Sequence, residues 1–467
     1  MTVAFTRRPR AIPVDPQPLP STWKPYFGTD GIRGLANHEL TPILAVRVGR
    51  AVASTVTHGD GRIVVAQDTR RSGDMLVAGL VAGITSMGVD AVTLGVAPTA
   101  ALAHIAARWR YAAGIMVSAS HNPAEDNGLK VFDGDGCKLD EHLERRLESL
   151  ILRADALPVP GNHGMGAHLD GTGELDRYRA HRLAIARRLH ARLRVVVDCA
   201  NGSASSFAGS FLEAAGAQVT VTEASPTGCN INNACGATSP AALAEHVRQL
   251  GADVGFALDG DADRCVVVDH RGSVVDGDAL LGLLALDRLR HDRLSGRALV
   301  VTQVSNGGLE GTLAPYGGRV HRTPVGDRHV WAGMVESNAV LGGERSGHVI
   351  IRHHAQTGDG MVTALEVLEV MARTGRTIAD LAADIILWPQ QERSVRVADR
   401  AAAIIDPVLD REISLARGRL GGAGRILVRP SGTEPLVRIM VEGPDRDHVT
   451  TIADGLADLV RQRQPQS

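Results

Sequence analysis

An α/β chain of three related α/β domains plus a smaller C-terminal α+β domain, four domains around a central cleft, is the fold class predicted for this sequence. Three observations predict it. A strand–loop–helix–strand unit recurs three times. Its strands are unbroken Val/Ile-rich runs, as strands covered on both faces of a parallel sheet are. From about residue 391 onward the repeat gives way to a different alternation of helices and strands.

Residues 1–22 carry Arg7, Arg8 and Arg10, then Pro13, Pro16, Pro18 and Pro20. Such a segment buries too little apolar surface to order itself, so a disordered N-terminal extension is expected. Domain 1 is expected over 23–173. Its unit places a strand at 62–68, a loop at 69–73, a helix at 75–87 and a strand at 88–94. A short buried strand at 111–116 then runs into a polar loop. A Gly/His-rich stretch, 161–166, lies near the domain's end. The Arg-rich segment 176–192 is expected as a helix whose charges form a solvated face. Domain 2, 174–274, repeats the unit at 194–198, 200–206, 207–215 and 216–221, and ends near the turn Asp269-His270-Arg271-Gly272. Domain 3, 275–390, holds an apolar helix at 279–289 and the third unit at 298–302, 305–308, 309–316 and 317–320. A further helix at 360–371 follows Asp359, a suitable cap. Domain 4, 391–467, is expected to contain a helix around 397–405, strands at 425–429 and 436–441, and a closing helix at 447–461.

Composition narrows the function classes. The 50 basic and 52 acidic residues leave a formal net charge of −2, so no whole-chain field attracts nucleic acid. Aromatic residues, at 3%, do not build stacking platforms for bases. The five cysteines are odd in number and contain no CxxC pair, which argues against a disulfide framework or a structural zinc site. No apolar run is long enough to span a bilayer, and no greasy stretch follows the N-terminal arginines as a secretory signal requires. A cytoplasmic protein is expected, with neither nucleic acid nor membrane as partner.

Four loops carry chemistry. Ser118-Ala119-Ser120-His121-Asn122-Pro123 follows a buried strand and precedes Lys130. A serine beside a histidine at a strand end is a candidate nucleophile or phosphate carrier, and also an ordinary capped turn. In Asp259-Gly260-Asp261-Ala262-Asp263-Arg264, three carboxylates at alternate positions are bent by one glycine. They suit a hard cation such as Mg²⁺, and lack the spacing and terminal Glu of a twelve-residue calcium loop. The plain alternative is an acidic turn, and Arg264 either pairs with a carboxylate or holds a substrate phosphate. In Gly342-Gly343-Glu344-Arg345-Ser346-Gly347-His348, Glu344 and Ser346 suit sugar hydroxyls and His348 suits proton movement. In Arg429-Pro430-Ser431-Gly432-Thr433-Glu434-Pro435, a guanidinium fork, two hydroxyls and inward amides make an anion nest, with Arg438 nearby. The alternative there is a polar turn with an interdomain salt bridge. Arg33, in Phe27-Gly28-Thr29-Asp30-Gly31-Ile32-Arg33-Gly34, either reaches a phosphate or braces a domain contact, and Asp327-Arg328 adds a further exposed basic candidate. Together the loops suit a phosphorylated polar ligand held in a cleft.

These four loops, in this order, resemble those of the alpha-D-phosphohexomutases, over nearly all the chain from Tyr26 onward. Within that family the segment Phe27 to Gly34, Asn230-Ile231-Asn232-Asn233-Ala234-Cys235-Gly236-Ala237-Thr238 and Val325-Gly326-Asp327-Arg328 resemble the bacterial branch that interconverts glucosamine 6-phosphate and glucosamine 1-phosphate, feeding UDP-N-acetylglucosamine and the cell wall. The resemblance implies that Ser120 is a phosphoserine, and that its phosphate joins Asp259, Asp261 and Asp263 around Mg²⁺. It implies that Glu344 and Ser346, with Arg264, Asp327 and Arg328, bind the sugar phosphate. Arg429, Ser431, Gly432 and Thr433, with Arg438, would hold the phosphate that is not transferred. Lys130, Arg33, His348 and His121 would handle protons or stabilise charge. A hexose or glucosamine 1,6-bisphosphate is the implied activator and intermediate, and a phosphorylated amino sugar the implied partner; a homodimer is allowed. Arg345 stands where this branch usually has glutamine, so an altered sugar preference or a phosphate contact is an expectation there. A phosphomannomutase or phosphoglucomutase of the same family is the nearest alternative, and a non-catalytic phosphosugar-binding protein a more distant one.

Overall fold

Most strands form where the sequence offers continuous apolar runs, and three of these runs end in polar loops that the sheets bring to one place. The computed structural model describes residues 26–28, 30–55, 61–187, 192–421, 424–431 and 435–463. The expected N-terminal extension, 1–22, lies outside the described residues.

The first sheet has seven strands, in the order Phe27–Gly28, Gly31–Leu35, Asp126–Asp133, Ala113–Val117, Arg62–Gln67, Asp90–Val96 and His168–Asp170. Arg62–Gln67 and Ala113–Val117 are parallel, and Asp126–Asp133 returns antiparallel beside Ala113–Val117. Two further sheets repeat this plan with four strands each. In the second, Val254–Leu258 runs parallel to Arg194–Asp198, and Cys265–Asp269 returns antiparallel beside it. In the third, Leu341–Gly343 runs parallel to Ala298–Thr302, and Val349–Ile351 returns antiparallel. The fourth sheet is antiparallel throughout, in the order Gln390–Arg396, Leu436–Glu442, Arg425–Pro430. So the serine, aspartate and Glu344 loops occupy one equivalent position, between a parallel strand and its antiparallel return. That is the carboxyl end of a strand, where open α/β sheets bind ligands. The fourth loop joins the last two strands of its own sheet.

Helices cover both faces of the first sheet. Leu44, Val48, Leu76 and Leu80 fill one face, and Leu102, Ile105 and Tyr178 fill the other. One continuous core joins the second and third domains, with Phe211, Phe256, Val301 and Leu365 among its members. The C-terminal domain keeps its own core. Among the described residues, no helix is long and apolar enough to cross a membrane.

Three expectations shift. Gln390–Arg396 is a strand that the sequence reading did not assign, because of its seven residues only Val395 is buried. Its backbone is fixed by pairing with Leu436–Glu442. The helix expected around 397–405 is correspondingly short, Arg400–Ile404. The Arg-rich helix runs Thr172–Ala186, and its charges are not all solvated. Arg182 is 1% exposed and donates to Asp359 Oδ2 at 3.2 Å and His354 O at 3.0 Å, against the face of Tyr178. Stacking on the Tyr178 ring and pairing through Nη2 with Asp359 offset part of the cost of burying this guanidinium.

Phe256 lies on the central strand of the second sheet with 0% exposure. Phe256→Ala is expected to destabilise the second and third domains by about 3–5 kcal/mol, read as a lowered urea midpoint.

Candidate active site

Ser120 sits at the end of the buried run Ala113–Val117 with φ of +53°, a left-handed conformation unusual for serine. Its Oγ donates to Asp259 Oδ2 at 2.5 Å, and His121 Nδ1 lies 3.3 Å away. Asp259, Asp261 and Asp263 place carboxylate oxygens within 4.8 Å of one another, all three residues buried. Burial, then the neighbouring Asp263 and Asp261, push the Asp259 carboxyl up to about 8. Asp261 Oδ1 and Asp263 Oδ1 are buried and accept no hydrogen bond among the described residues. Buried oxygens of like charge with spare lone pairs are the donor set a hard divalent cation takes, so the trio fits such an ion.

Several cations and donors face this charge. Lys130, 1% exposed, lies 2.7 Å from Asp261 Oδ2 and 3.0 Å from Asp263 Oδ2. Burial opposes its charge, but Asp261, Asp263 and Asp30 outweigh that and raise its pKa, keeping it protonated. Thr99 donates from Oγ1 to Asp261 Oδ2 at 2.5 Å. His348 places Nδ1 3.6 Å from Asp263 Oδ1 and Nε2 3.4 Å from Asp327 Oδ2, while the Gly358 amide donates to Nε2 at 2.9 Å. That amide favours the tautomer with the proton on Nδ1, facing Asp263. Burial, then the Arg264 and Arg33 charges, lower His121 to about 4, so it is neutral near pH 7.

The contacts close a ring of charged and polar side chains. Lys130 meets Asp30 at 3.3 Å, Asp30 meets Lys138, and Lys138 meets Asp327 at 2.6 Å. Asp327 meets His348, which meets Asp263, which returns to Lys130. Asp30 and Lys138 were not singled out from the sequence. Nothing local marks them: Lys138 is separated from Asp30 by 108 positions, and only the assembled fold makes them neighbours.

Arg33 pairs with Asp30 and donates from Nη1 to Asn122 Oδ1 at 3.1 Å. The Arg264 amide donates to Asp259 Oδ1 at 3.1 Å, and its guanidinium Nε lies 3.9 Å from Asp263 Oδ1. Arg328 is held by Glu144 at 2.6 Å, which joins the third domain to the first. Glu344 accepts from the Gly326 amide at 3.0 Å, and Ser346 is exposed. Arg345 turns toward the C-terminal domain: it donates to Gln390 and lies 3.5 Å from Asp276 and 3.7 Å from Glu392. On the tail sheet Arg429 pairs in register with Arg438, and burial with the Arg438 charge lowers the Arg429 pKa. Two guanidinium groups side by side leave an electropositive strip suited to a phosphate. Arg400 donates to Ser431 O at 2.5 Å, a contact the sequence reading missed because Arg400 is 31 positions away. Gly432 and Thr433 lie outside the described residues.

Comparison with known proteins gives a consistent picture. The models for phosphoglucomutase/phosphomannomutase match here as alpha/beta/alpha domain I over 24–157, domain II over 176–272, domain III over 276–387 and the C-terminal domain over 392–459. A phosphoglucosamine mutase of Moorella thermoacetica is 48% identical over 433 residues, 92% of this chain and 98% of its own length. A phosphoglucomutase/phosphomannomutase family protein of Burkholderia thailandensis is similar in structure, with a TM-score of 0.79 at 25% identity, covering 94% of this chain and 98% of its own. The N-acetylphosphoglucosamine mutase of Aspergillus fumigatus, described in complex with GlcNAc-6P and magnesium, shares the fold with a TM-score of 0.64 at 19% identity, covering 95% and 97%.

The raised Asp259 carboxyl has a pH consequence. Folded Asp259 keeps its proton up to about 8 while the unfolded chain releases it near 3.8, so raising pH across that window removes stability. After chelation the thermal midpoint is expected to fall as pH rises from about 4 to about 8, and to fall less in Asp259→Asn. Adding a divalent cation should raise the midpoint of the wild type near pH 8 and have little effect on Asp259→Asn.

Proposed function

The chain belongs to the phosphoglucomutase/phosphomannomutase family, and from that premise we propose that it interconverts glucosamine 6-phosphate and glucosamine 1-phosphate as a phosphoglucosamine mutase. The observation that carries the chemistry is the Ser120 hydroxyl lodged on a buried carboxylate of a cation-seeking trio.

Ser120 is the phosphoryl carrier. The group leaves Ser120 Oγ for the 1-hydroxyl of glucosamine 6-phosphate, giving the 1,6-bisphosphate. The sugar turns, the 6-phosphoryl group returns to Ser120 Oγ, and glucosamine 1-phosphate departs. Each transfer breaks one P–O bond and forms another, and the proton lost by the attacking hydroxyl matches the one gained by the departing oxygen. His121 carries that proton in this scheme; its Nδ1, neutral and 3.3 Å from Ser120 Oγ, supports the assignment. Arg33, Lys130 and Arg264 bring positive charge to the equatorial oxygens of the moving group. His348, with its Nδ1 proton toward Asp263, keeps that carboxylate oriented. Bound by Asp259, Asp261, Asp263 and a Ser120 phosphate oxygen, Mg²⁺ would supply further neutralisation of that charge.

Substrate binding is divided between domains. Glu344, Ser346, Asp327 and Arg328 take the sugar hydroxyls, and Arg429, Ser431, Gly432, Thr433 and Arg438 take the resting phosphate. That division lets the sugar exchange its two ends without moving the carrier. A hexose or glucosamine 1,6-bisphosphate primes Ser120, and the reaction belongs to cytoplasmic amino-sugar metabolism.

Glucosamine 1-phosphate formation from glucosamine 6-phosphate, with Mg²⁺ and a bisphosphate primer, tests the reading. The wild type is expected to turn over, and Ser120→Ala to lose at least about 10³-fold of kcat, since the carrier oxygen is gone. A larger kcat/KM on glucose or mannose phosphates would reassign the sugar while keeping the chemistry.

A further inference from the structure

A serine with φ of +53° persists only where its surroundings over-determine it. Both ends of the Ser120 peptide unit are tied to one buried ion pair. Arg70 Nε lies 2.9 Å from Asp68 Oδ2, and neither side chain is exposed. Ser118 Oγ donates to Asp68 Oδ2 at 2.6 Å and accepts from the Ser120 amide at 2.9 Å. The Arg70 guanidinium then reaches the loop's carbonyls. Nη2 donates to Ser120 O at 3.0 Å and Asn122 O at 2.8 Å, and Nη1 donates to Asp126 O at 2.9 Å and to Pro123 O. From the second domain, Asn232 Nδ2 donates to Ser120 O at 2.9 Å and Asn122 O at 3.0 Å. Gly260, between two of the clustered aspartates, packs on the same oxygen: a Cβ there would lie 2.6 Å from Ser120 O.

We propose that Arg70 and Asn232 are positioning residues for phosphoryl transfer, clamping the Ser120 carbonyl so that Oγ is held against Asp259. The inference rests on Ser120 being the carrier, as proposed above. A planar fork satisfies several carbonyls at once, which fixes the course of the loop on either side of Oγ. The clamp comes from two domains, so it also registers the serine loop on the aspartate loop. Neither residue touches the sugar in this scheme. Its loss is felt in the transfer step, and substrate affinity is left to the other loops.

Arg70→Lys keeps a charge beside Asp68 but cannot span the four carbonyls. Asn232→Gly removes the second arm, and glycine accepts the φ of +56° at that position without strain. With folding verified by circular dichroism, kcat for glucosamine phosphate conversion is expected to fall about 10²-fold in Arg70→Lys and about 10-fold in Asn232→Gly, with KM within about threefold of wild type. Unchanged kcat in both folded variants, or a rise in KM that accounts for the loss, overturns the proposal. If Arg70→Lys does not fold, Asn232→Gly carries the same test. A crystal structure of the Asn232→Gly full chain supplies an arm independent of turnover. Separation of Ser120 Oγ from Asp259 beyond hydrogen-bond reach supports the clamp, and a distance still near 2.5 Å overturns it. A wild type inactive on every hexose phosphate would sink the mutase reading alone, and this last arm would still decide the clamp.

Discussion

Three carboxylates with oxygens inside 4.8 Å, all removed from water, repel one another strongly unless positive charge is brought to them. Much of the surrounding architecture answers that demand. Lys130 comes from the first sheet, Arg264 from the end of the loop itself, and His348 from the third sheet. Ser120 and Thr99 add hydroxyl protons. The oxygens still left without hydrogen bonds mark where a divalent ion is wanted. Stability alone would favour an apolar cluster here, since buried ion pairs seldom repay their desolvation. The arrangement makes sense as a site for moving a highly charged group.

The repeated sheet plan explains how three loops reach one point. In each of the first three sheets a parallel strand ends, a short polar loop follows, and the next strand returns antiparallel. A hairpin at that position keeps its loop short and its side chains at the sheet's carboxyl edge. Three copies of one motif thus deliver the Ser120 loop, a cation-seeking trio and the Glu344 loop without long excursions of chain. The close seam between the second and third domains depends on backbone contact. Gly360 is one such point, where a Cβ would meet Arg264 O at 2.3 Å.

The ring Lys130–Asp30–Lys138–Asp327–His348–Asp263 binds the same three domains electrostatically. Lys130–Asp263 joins the first domain to the second and Lys138–Asp327 joins it to the third, so displacing either neighbour takes a buried charge from its partner. The C-terminal domain is attached differently, through Arg425 between Glu442 and Ser305, and Arg345 on Gln390 of the fourth sheet. Arg429 and Arg438, paired in register on its sheet, stand apart from the ring.

The sequence by itself determined the strand runs, the four loops and the chemistry each loop offers, because those features are local. Continuous Val/Ile runs declare buried strands, and alternate aspartates around one glycine declare a cation preference, whatever lies elsewhere. The partners that complete the site were decided only by the tertiary structure. Lys130 and Asp261 are 131 positions apart, Asn232 and Ser120 112, and no periodicity links such pairs. Nothing local in the sequence marks Asp30, Asp68, Arg70 or Lys138, which folding places against countercharges. The same holds for Arg182, buried on Asp359, and for the polar strand Gln390–Arg396, whose conformation comes from its neighbour's hydrogen bonds. Local propensity records what a segment can do; the cost of burying a charge is met by residues that only the fold brings near.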